Sequence, residues 1–278
     1  MKTTTRCLAL TAIFFALTCS QAPAQSSGTI VVFQLTPEKF VLAADSRIVY
    51  RNIPIDSACK ITVFRHQVAY ANFGLTGYAP VPAEPGLSWE GVREAQAVLQ
   101  LPQFRTAASK DRLQEIANAW GERVLVDLET LARFRPDVAR EAARRGEGNL
   151  VGAVFAEANS KGQLEYADRV IRVHQGALAI ARPVMDCENK LCAYGRGNVF
   201  LKFTEWPGPR TGDAVWSFSP SLLQRASIET LHAIRLVDLS VAYDGSGFVG
   251  GPADALEIWK DGTVHWIERK PNCPDSSE

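Results

Sequence analysis

Four short apolar runs follow one another between residues 29 and 73, and they restrict this segment to a sheet. They are rich in Val, Ile and Phe and are separated by turn residues, which is the pattern of consecutive β-strands. The runs cover 29–35, 39–45, 60–65 and 67–73. The sequence therefore predicts that the fold begins with a group of neighbouring strands.

Helical and strand-like patterns alternate through the rest of the chain. Apolar residues recur at helical spacing after Ser109, a favourable N-cap, and again after Ser219-Pro220, which is a typical helix start. The other segments are a Pro/Gly-rich loop at 76–88, a hairpin of strands 150–156 and 163–168, an irregular stretch at 175–218, and strands at 253–259 and 263–268. Strands, helices, strands, a helix and strands in this order predict an α+β fold.

The N-terminus has the pattern of a secretory signal peptide. A basic start precedes the apolar stretch Leu8–Leu17, which is too short to span a bilayer comfortably. Ala22-Pro23-Ala24 then supplies a small-residue cleavage site. We expect residues 1–24 to be removed, and residues 25–28 to remain as a short propeptide.

Export to the periplasm or the medium follows from this signal. Leu17-Thr18-Cys19 offers a weaker alternative, lipoprotein anchoring at Cys19, but Ala16 stands where such signals favour Leu. No second long apolar run follows. We therefore expect no stable membrane insertion of the mature chain.

Four cysteines remain after the signal peptide, and an exported chain meets an oxidising compartment. Cys187 and Cys192 flank a short polar segment and make a plausible local disulfide. Cys59 and Cys273 could then pair, which would tie the C-terminal tail beside Lys60. Four cysteines allow three connectivities, so the sequence leaves the pairing open. A zinc site is the rival, but the close paired spacings of such sites are missing, and we expect no metal.

Residues able to support nucleophilic catalysis stand at the ends of the predicted strands. Thr29 opens the first strand, Asp45 ends the second, Lys60 opens the third and Gly74 follows the fourth. A threonine hydroxyl does not ionise at neutral pH and needs a base. Its own α-amine, with an ordinary pKa of roughly 8, can serve. That chemistry requires cleavage of the Gly28–Thr29 bond.

This order of residues resembles the catalytic β-subunits of proteasomes, within the N-terminal-nucleophile (Ntn) hydrolases. Asp45 lies 16 residues after Thr29 in an alanine-rich strand end, and Gly74 lies 14 residues after Lys60. Both spacings match the family, whereas the segment from Asp45 to Lys60 is one residue shorter. In that family a Gly–Thr bond is cut autocatalytically, and the threonine becomes the nucleophile.

The resemblance implies a role for each residue. Thr29 would attack an amide carbonyl and form an ester, while its α-amine shuttles the proton. Lys60 would lower the proton affinity of both groups, and Asp45 would hold Lys60 in place. The N–H of Gly74 would face the developing oxyanion, and Arg47 would support the loop after Asp45.

The resemblance also implies a fold and its limits. It predicts a four-layer αββα sandwich of the proteasome-subunit type over residues 29–269, with residues 270–278 as a C-terminal tail. The likeness is strongest at both ends of that domain and weakest at 175–218. A homo-oligomer is left open as the assembly.

Two departures from the family pattern affect the supporting residues. The family adds an Asp and a Ser before its Gly-Gly, and here Ser246 and Val249 occupy those positions ahead of Gly250. It also has a Ser in a Gly-Ser-Gly turn, where this chain has Gly195-Arg196-Gly197. Ser246 could partly serve and Asp244 is close by in sequence, but Arg196 cannot replace a serine.

Composition and motifs exclude several other classes. Lys+Arg and Asp+Glu are both 30, which argues against a general affinity for nucleic acid. Gly245-x-Gly247-x-x-Gly250 matches the dinucleotide fingerprint, but a helix precedes it and a strand follows, which is the reverse of what that motif needs. We expect no cofactor.

The sequence thus predicts an exported threonine hydrolase that cleaves small peptides or other amides. Because the supporting residues are altered, the alternative is a catalytically silent protein on the same fold that binds a ligand or builds an assembly. A third, weaker alternative is an acyl transferase that uses the same ester intermediate.

Overall fold

The structure is a computed structural model that mixes helices with antiparallel sheets. It describes residues 24–27, 29–50, 53–64, 68–79, 87–106, 111–182, 187, 191–195, 219–245 and 247–273. The strands, in chain order, are β1 Ala24–Ser27, β2 Ile30–Leu35, β3 Lys39–Ala44, β4 Ile48–Tyr50, β5 Ile53–Ile55, β6 Ile61–Val63, β7 Ala69–Ala79, β8 Trp89–Glu90, β9 Asn149–Ala158, β10 Leu164–His174, β11 Ala177–Ala181, β12 Leu191–Gly195, β13 Asp254–Trp259 and β14 Val264–Glu268.

The helices lie in two groups along the chain. The first group follows β8 and the second precedes β13. They are α1 Gly91–Leu99, α2 Pro102–Thr106, α3 Arg112–Phe134, α4 Pro136–Arg145, α5 Pro220–Arg225 and α6 Ile228–Tyr243. Pro136 begins α4 at its first turn, where the missing N–H costs nothing. Every helix within the described residues is too short or too polar to cross a membrane.

The larger sheet has the strand order β1-β7-β9-β10-β11, with β6 and β8 also paired to β7. Both of its faces are covered, and β9 is buried along almost its whole length. Phe155 faces a cluster that includes Trp120, Leu128 and other residues of the helices. Val154 points the opposite way, into a cluster shared with the second sheet. Side chains two residues apart share a face, so neighbours in β9 serve different layers.

The smaller sheet has the order β12-β2-β3-β13-β14. Phe33 and Leu42 lie in the cluster between the two sheets. Val32 and Val41, their neighbours in sequence, pack instead with Ile234 and other residues of α6. The continuous apolar character of β2 and β3 therefore has a direct cause, since neither face meets solvent.

The structure corrects three expectations about chain segments. The stretch 175–218, which was expected to be irregular, contains β11 and β12. Residues 24–27, for which the sequence indicated no strand, form β1, which pairs with the end of β7 from Ala79 to Leu75. For the same reason β7 extends to Ala79, into the segment expected to be a loop from residue 76. Polar residues such as Gln25 and Ser26 carry little strand propensity, and pairing with an available edge decides their conformation.

A buried hydrogen bond between Tyr194 and Asp168 joins the two sheets. Tyr194 of β12 donates through its hydroxyl to Oδ2 of Asp168 in β10 at 2.6 Å. Both side chains are buried, and burial raises the pKa of both groups above their ordinary values. The Tyr194 ring also packs on Phe73 of β7 at 5.0 Å between centroids. The hydrogen bond therefore links the two sheets near the start of β2, where Tyr194 pairs with Val31.

We expect Tyr194→Phe to destabilise the fold by about 1–3 kcal/mol, because Asp168 would lose a buried donor. Equilibrium urea unfolding measures this change. Tyr243→Phe is the matched control, since Tyr243 is 67% exposed. Equal unfolding midpoints for the two variants would show that the bond contributes nothing.

Candidate active site

Thr29 lies directly before β2, and the fold closes around it. It is buried, with 2% of its surface exposed. Gly195 at the end of β12 pairs with Ile30, and a Cβ on Gly195 would lie 2.0 Å from the Thr29 carbonyl oxygen. Gly195 also has a φ of +118°, which side chains disfavour. The glycine therefore allows the backbone of β12 to approach Thr29.

Lys60 contacts Thr29 through its ammonium group. Its Nζ donates to Oγ1 of Thr29 at 2.6 Å and to Oδ1 of Asp45 at 3.0 Å. All three residues are buried. Lys60 lies just before β6 and is buried. The residues from Ile53 to Ser57, which precede it in the chain, are exposed. The structure thus brings together three of the residues that the sequence singled out.

Asp45 follows β3 and is surrounded by donors. Its Oδ1 accepts from the backbone N–H of Ile30 at 2.9 Å, and its Oδ2 accepts from Gly250 at 3.0 Å and Arg47 at 3.2 Å. With Lys60, these contacts give the carboxylate four donors. These donors favour the charged form of the carboxylate and oppose the effect of burial on its pKa.

Arg47 and the glycines near residue 250 brace the loop after Asp45. The Arg47 guanidinium binds both carboxylate oxygens of Asp56, at 2.5 and 2.7 Å. A Cβ on Gly250 would lie 2.3 Å from the Arg47 guanidinium carbon, and one on Gly251 would lie 2.3 Å from the Ser46 hydroxyl oxygen. Only glycine permits this close packing, which holds the Gly250 N–H against Asp45.

Gly74 lies where β7 changes its partner strand. Residues up to Gly74 pair with β9, and residues from Leu75 onward pair with β1, so that Leu75 faces Ser27. Gly74 has a φ of +79°, and a Cβ there would lie 2.4 Å from the Leu150 carbonyl oxygen. The glycine is therefore required by the backbone, close to the segment that precedes Thr29.

The loop before Gly250 differs from the family pattern in its contacts as well as in its residues. Val249 is buried against α6 and its neighbours and offers no side-chain hydrogen bond. Asp244 accepts from the backbone N–H groups of Phe248 and Val249 at 2.9 and 2.8 Å, so its carboxylate shapes the loop. Ser246, Arg196 and Gly28 lie outside the described residues.

Burial shifts the pKa values of the central pair in opposite directions. It lowers the pKa of the Lys60 ammonium from its ordinary 10.5, while Asp45 opposes that shift. It raises the pKa of Asp45 from 3.8, while Lys60 and the backbone donors oppose the rise. An ammonium that donates to a hydroxyl oxygen stabilises the alkoxide, so this pair favours ionisation of Thr29.

Both disulfides expected from the sequence are present. Cys187 bonds to Cys192, and Cys59 bonds to Cys273 with 5.5 Å between their Cα atoms. This pairing is confirmed, and two disulfides fit an oxidising compartment. The described residues contain no group of His, Cys, Asp and Glu side chains arranged to hold a metal ion.

One buried ion pair near the site was not predicted. Lys270 donates its side chain to Oδ2 and its backbone N–H to Oδ1 of Asp254, the latter at 3.1 Å. Both residues are buried, and the positive charge of Lys270 further lowers the pKa of Lys60. The only sequence signal is that Lys270 stands three residues before Cys273.

Comparison with known proteins gives no further assignment. The sequence matches no protein-family model, and no curated protein has a significantly similar sequence. What the site can do must therefore be argued from its own geometry.

We expect Lys60→Met to cost about 3–5 kcal/mol of unfolding free energy, because it leaves the Asp45 carboxylate buried without its cation. Adding Asp45→Asn should recover part of that loss by removing the charge. Urea unfolding of the single and double variants measures both effects.

The control is Lys260→Met, which breaks the exposed ion pair of Lys260 with Glu38 and should cost no more than about 1 kcal/mol. A Lys60→Met variant as stable as this control would contradict a buried ion pair at Asp45.

Proposed function

We propose that this protein is an exported N-terminal threonine hydrolase of the proteasome-like Ntn class, on the αββα fold of that class, and that it cleaves peptide or other amide bonds. The observation that carries the proposal is the 2.6 Å contact between Lys60 Nζ and Thr29 Oγ1. The contact places a buried cation, held by Asp45, directly on the hydroxyl that would act as the nucleophile. Removing a cation from water is costly, but a cation beside the hydroxyl is needed to stabilise the alkoxide.

Maturation supplies the base. The Thr29 hydroxyl attacks the Gly28 carbonyl carbon, and the acyl group moves from the Thr29 nitrogen to Oγ1. This frees the α-amine and leaves an ester. Water then hydrolyses the ester and releases the peptide that ends at Gly28. The mature amine can accept the hydroxyl proton in later turnovers, as the N-terminal amine does in this type of catalysis.

The position of β1 supports a peptide-like substrate. Residues 24–27 lie extended along β7, with Ser27 opposite Leu75, and they lead directly to Thr29. After autolysis this edge of β7 is vacated. An acyl chain whose carbonyl must reach Thr29 Oγ1 can bind there as an added strand, with main-chain hydrogen bonds. Short extended peptides and amides fit this edge better than folded proteins.

The opposing observation is Val249, which favours the catalytically silent alternative. It is 2% exposed and packed in an apolar cluster, so it cannot replace a serine near the nucleophile. We keep hydrolysis as the first proposal because Lys60 donates to both Thr29 and Asp45. The hydrolase and the silent protein differ in whether the Gly28–Thr29 bond is cut.

We expect the exported wild-type chain to begin at Thr29, whereas Thr29→Ala keeps residues 25–28 after signal cleavage because it lacks the nucleophile. Intact-mass spectrometry of the purified chains distinguishes these products. Thr263→Ala, in an exposed turn, is the control and should mature normally. A wild-type chain that keeps Gln25 indefinitely would sink the mechanism and favour the silent alternative.

We expect kcat/KM on a short amide substrate to be bell-shaped in pH. The rate rises as the α-amine loses its proton, at or below its ordinary pKa of roughly 8, since the neighbouring Lys60 cation disfavours the charged amine. It falls as Lys60 loses its own proton, below pH 10.5, because burial lowers that pKa. Initial rates across this pH range measure both limbs.

Lys60→Arg serves as the matched variant in this experiment. Its guanidinium keeps a charge throughout the range but has a different geometry, so it should be slow and should lack the alkaline limb. Wild-type turnover in Lys60→Arg, or a wild-type rate that still rises above pH 10.5, would rule out the role assigned to Lys60.

A further inference from the structure

The C-terminal segment is covalently joined to the residue before Lys60. Cys273 lies within the fold with 3% of its surface exposed, and it bonds to Cys59 across 214 residues of sequence. Cys59 itself is exposed. The expected C-terminal tail thus begins as part of the structure around the site, and the bond ties it beside Lys60.

The segment on the N-terminal side of Lys60 is held by residues of the loop after β3. Asp56 accepts from the Arg47 guanidinium through its carboxylate and from the Ser46 hydroxyl through its carbonyl. The segment from Ile53 to Ser57 is exposed, and Ala58 is held by one backbone hydrogen bond to Ser46 at 3.1 Å. The strand β6 begins only after Lys60. Because Lys60 must place its Nζ on Thr29, a tie at the preceding residue directly limits how far its backbone can move.

The Cys273 end of the Cys59–Cys273 disulfide is held by hydrogen bonds. The backbone N–H of Cys273 donates to the Lys270 carbonyl at 3.0 Å, and Lys270 binds Asp254 through both its backbone and its side chain. Asp254 begins β13 and pairs with Ala44, the residue before Asp45. The segment therefore connects the backbone beside Lys60 to the backbone beside Asp45.

We propose that Lys270–Cys273 is a positioning element of the site, which holds Lys60 against Thr29 and Asp45 through the Cys59–Cys273 disulfide, so that maturation and turnover depend on that bond. The inference rests on the proposed function. Forming the bond oxidises two thiols with loss of two electrons and two protons. A disulfide-bearing oxidant of the exporting compartment takes these up as it is reduced to two thiols.

The two disulfides differ in a way that allows a selective experiment. Cys187 and Cys192 are both buried, whereas Cys59 is exposed, so a mild reductant should reach the Cys59–Cys273 bond first. Alkylation of the freed thiols followed by peptide mass mapping identifies which bond has opened. The buried bond also supplies the matched control variant.

The test compares Cys59→Ser/Cys273→Ser with Cys187→Ser/Cys192→Ser. Near-ultraviolet circular dichroism first establishes that each variant is folded. We expect the first pair to slow autolysis at Gly28–Thr29 about a hundredfold, since a displacement of about 1 Å in a catalytic group has an effect of this size. The control pair should stay within about threefold of wild type.

A second readout separates positioning from general destabilisation. The groups that face Lys60 are Asp45 after β3, Asp56 in the exposed loop and Lys270 in the C-terminal segment. NMR of lysine-labelled protein follows the Lys60 titration, which the signal missing in Lys60→Arg identifies. If the tie is lost, water reaches Lys60 and its pKa rises toward 10.5. A merely less stable fold lowers the rate without moving this titration.

The outcomes are distinct. A folded first variant with the wild-type autolysis rate and an unmoved Lys60 titration overturns the inference. A wild-type chain that never matures, but whose Lys60 titration moves when the bond is lost, refutes the proposed function and leaves the positioning role intact. If the first variant does not fold, mild reduction of folded wild-type protein supplies the same two readouts.

Discussion

The buried ion pair of Lys60 and Asp45 is the interaction on which the site depends. Neither charge can leave water without a partner of opposite sign and further hydrogen bonds. Asp45 therefore collects three backbone N–H groups besides Lys60. These donors come from β2, from the loop after β3 and from the loop before β13. One carboxylate thereby fixes the positions of three separated segments, and Thr29 lies where they meet.

This demand for donors explains the glycines around the site. Gly250 presents its N–H to Asp45 while the Arg47 guanidinium lies against its Cα. Gly195 lets β12 approach the Thr29 carbonyl. A side chain at Gly195 would collide with the Thr29 backbone, and one at Gly250 would displace the Arg47 guanidinium. The Lys60–Thr29 contact is thus supported by close packing at the end of β12 and in the loop before β13.

The sequence predicted the site residues whose spacing matches the proteasome β-subunits. It missed some contacts that join segments far apart in the chain. Thr29 and Lys60 open apolar runs and Asp45 ends one, and the resemblance to proteasome β-subunits implied that they converge. The local Cys187–Cys192 bond left one partner for Cys59. Strand β1 has no apolar pattern and forms because β7 offers an edge. The Lys270–Asp254 contact joins single polar residues, which carry no periodic signal. The four-layer class and the oxyanion role of Gly74 stay predictions.

Under the proposed function, the electrostatics of the site change when the Gly28–Thr29 bond is cut. Before cleavage the Thr29 nitrogen is a neutral amide, and Lys60 is the cation beside the hydroxyl. Cleavage adds a second basic group within the same buried space. Two adjacent cations repel each other, so one must give up its proton. The α-amine, with an ordinary pKa of roughly 8, loses its proton more readily than a lysine. Because Asp45 also favours the charged form of Lys60, the amine becomes the neutral base and Lys60 stays the cation.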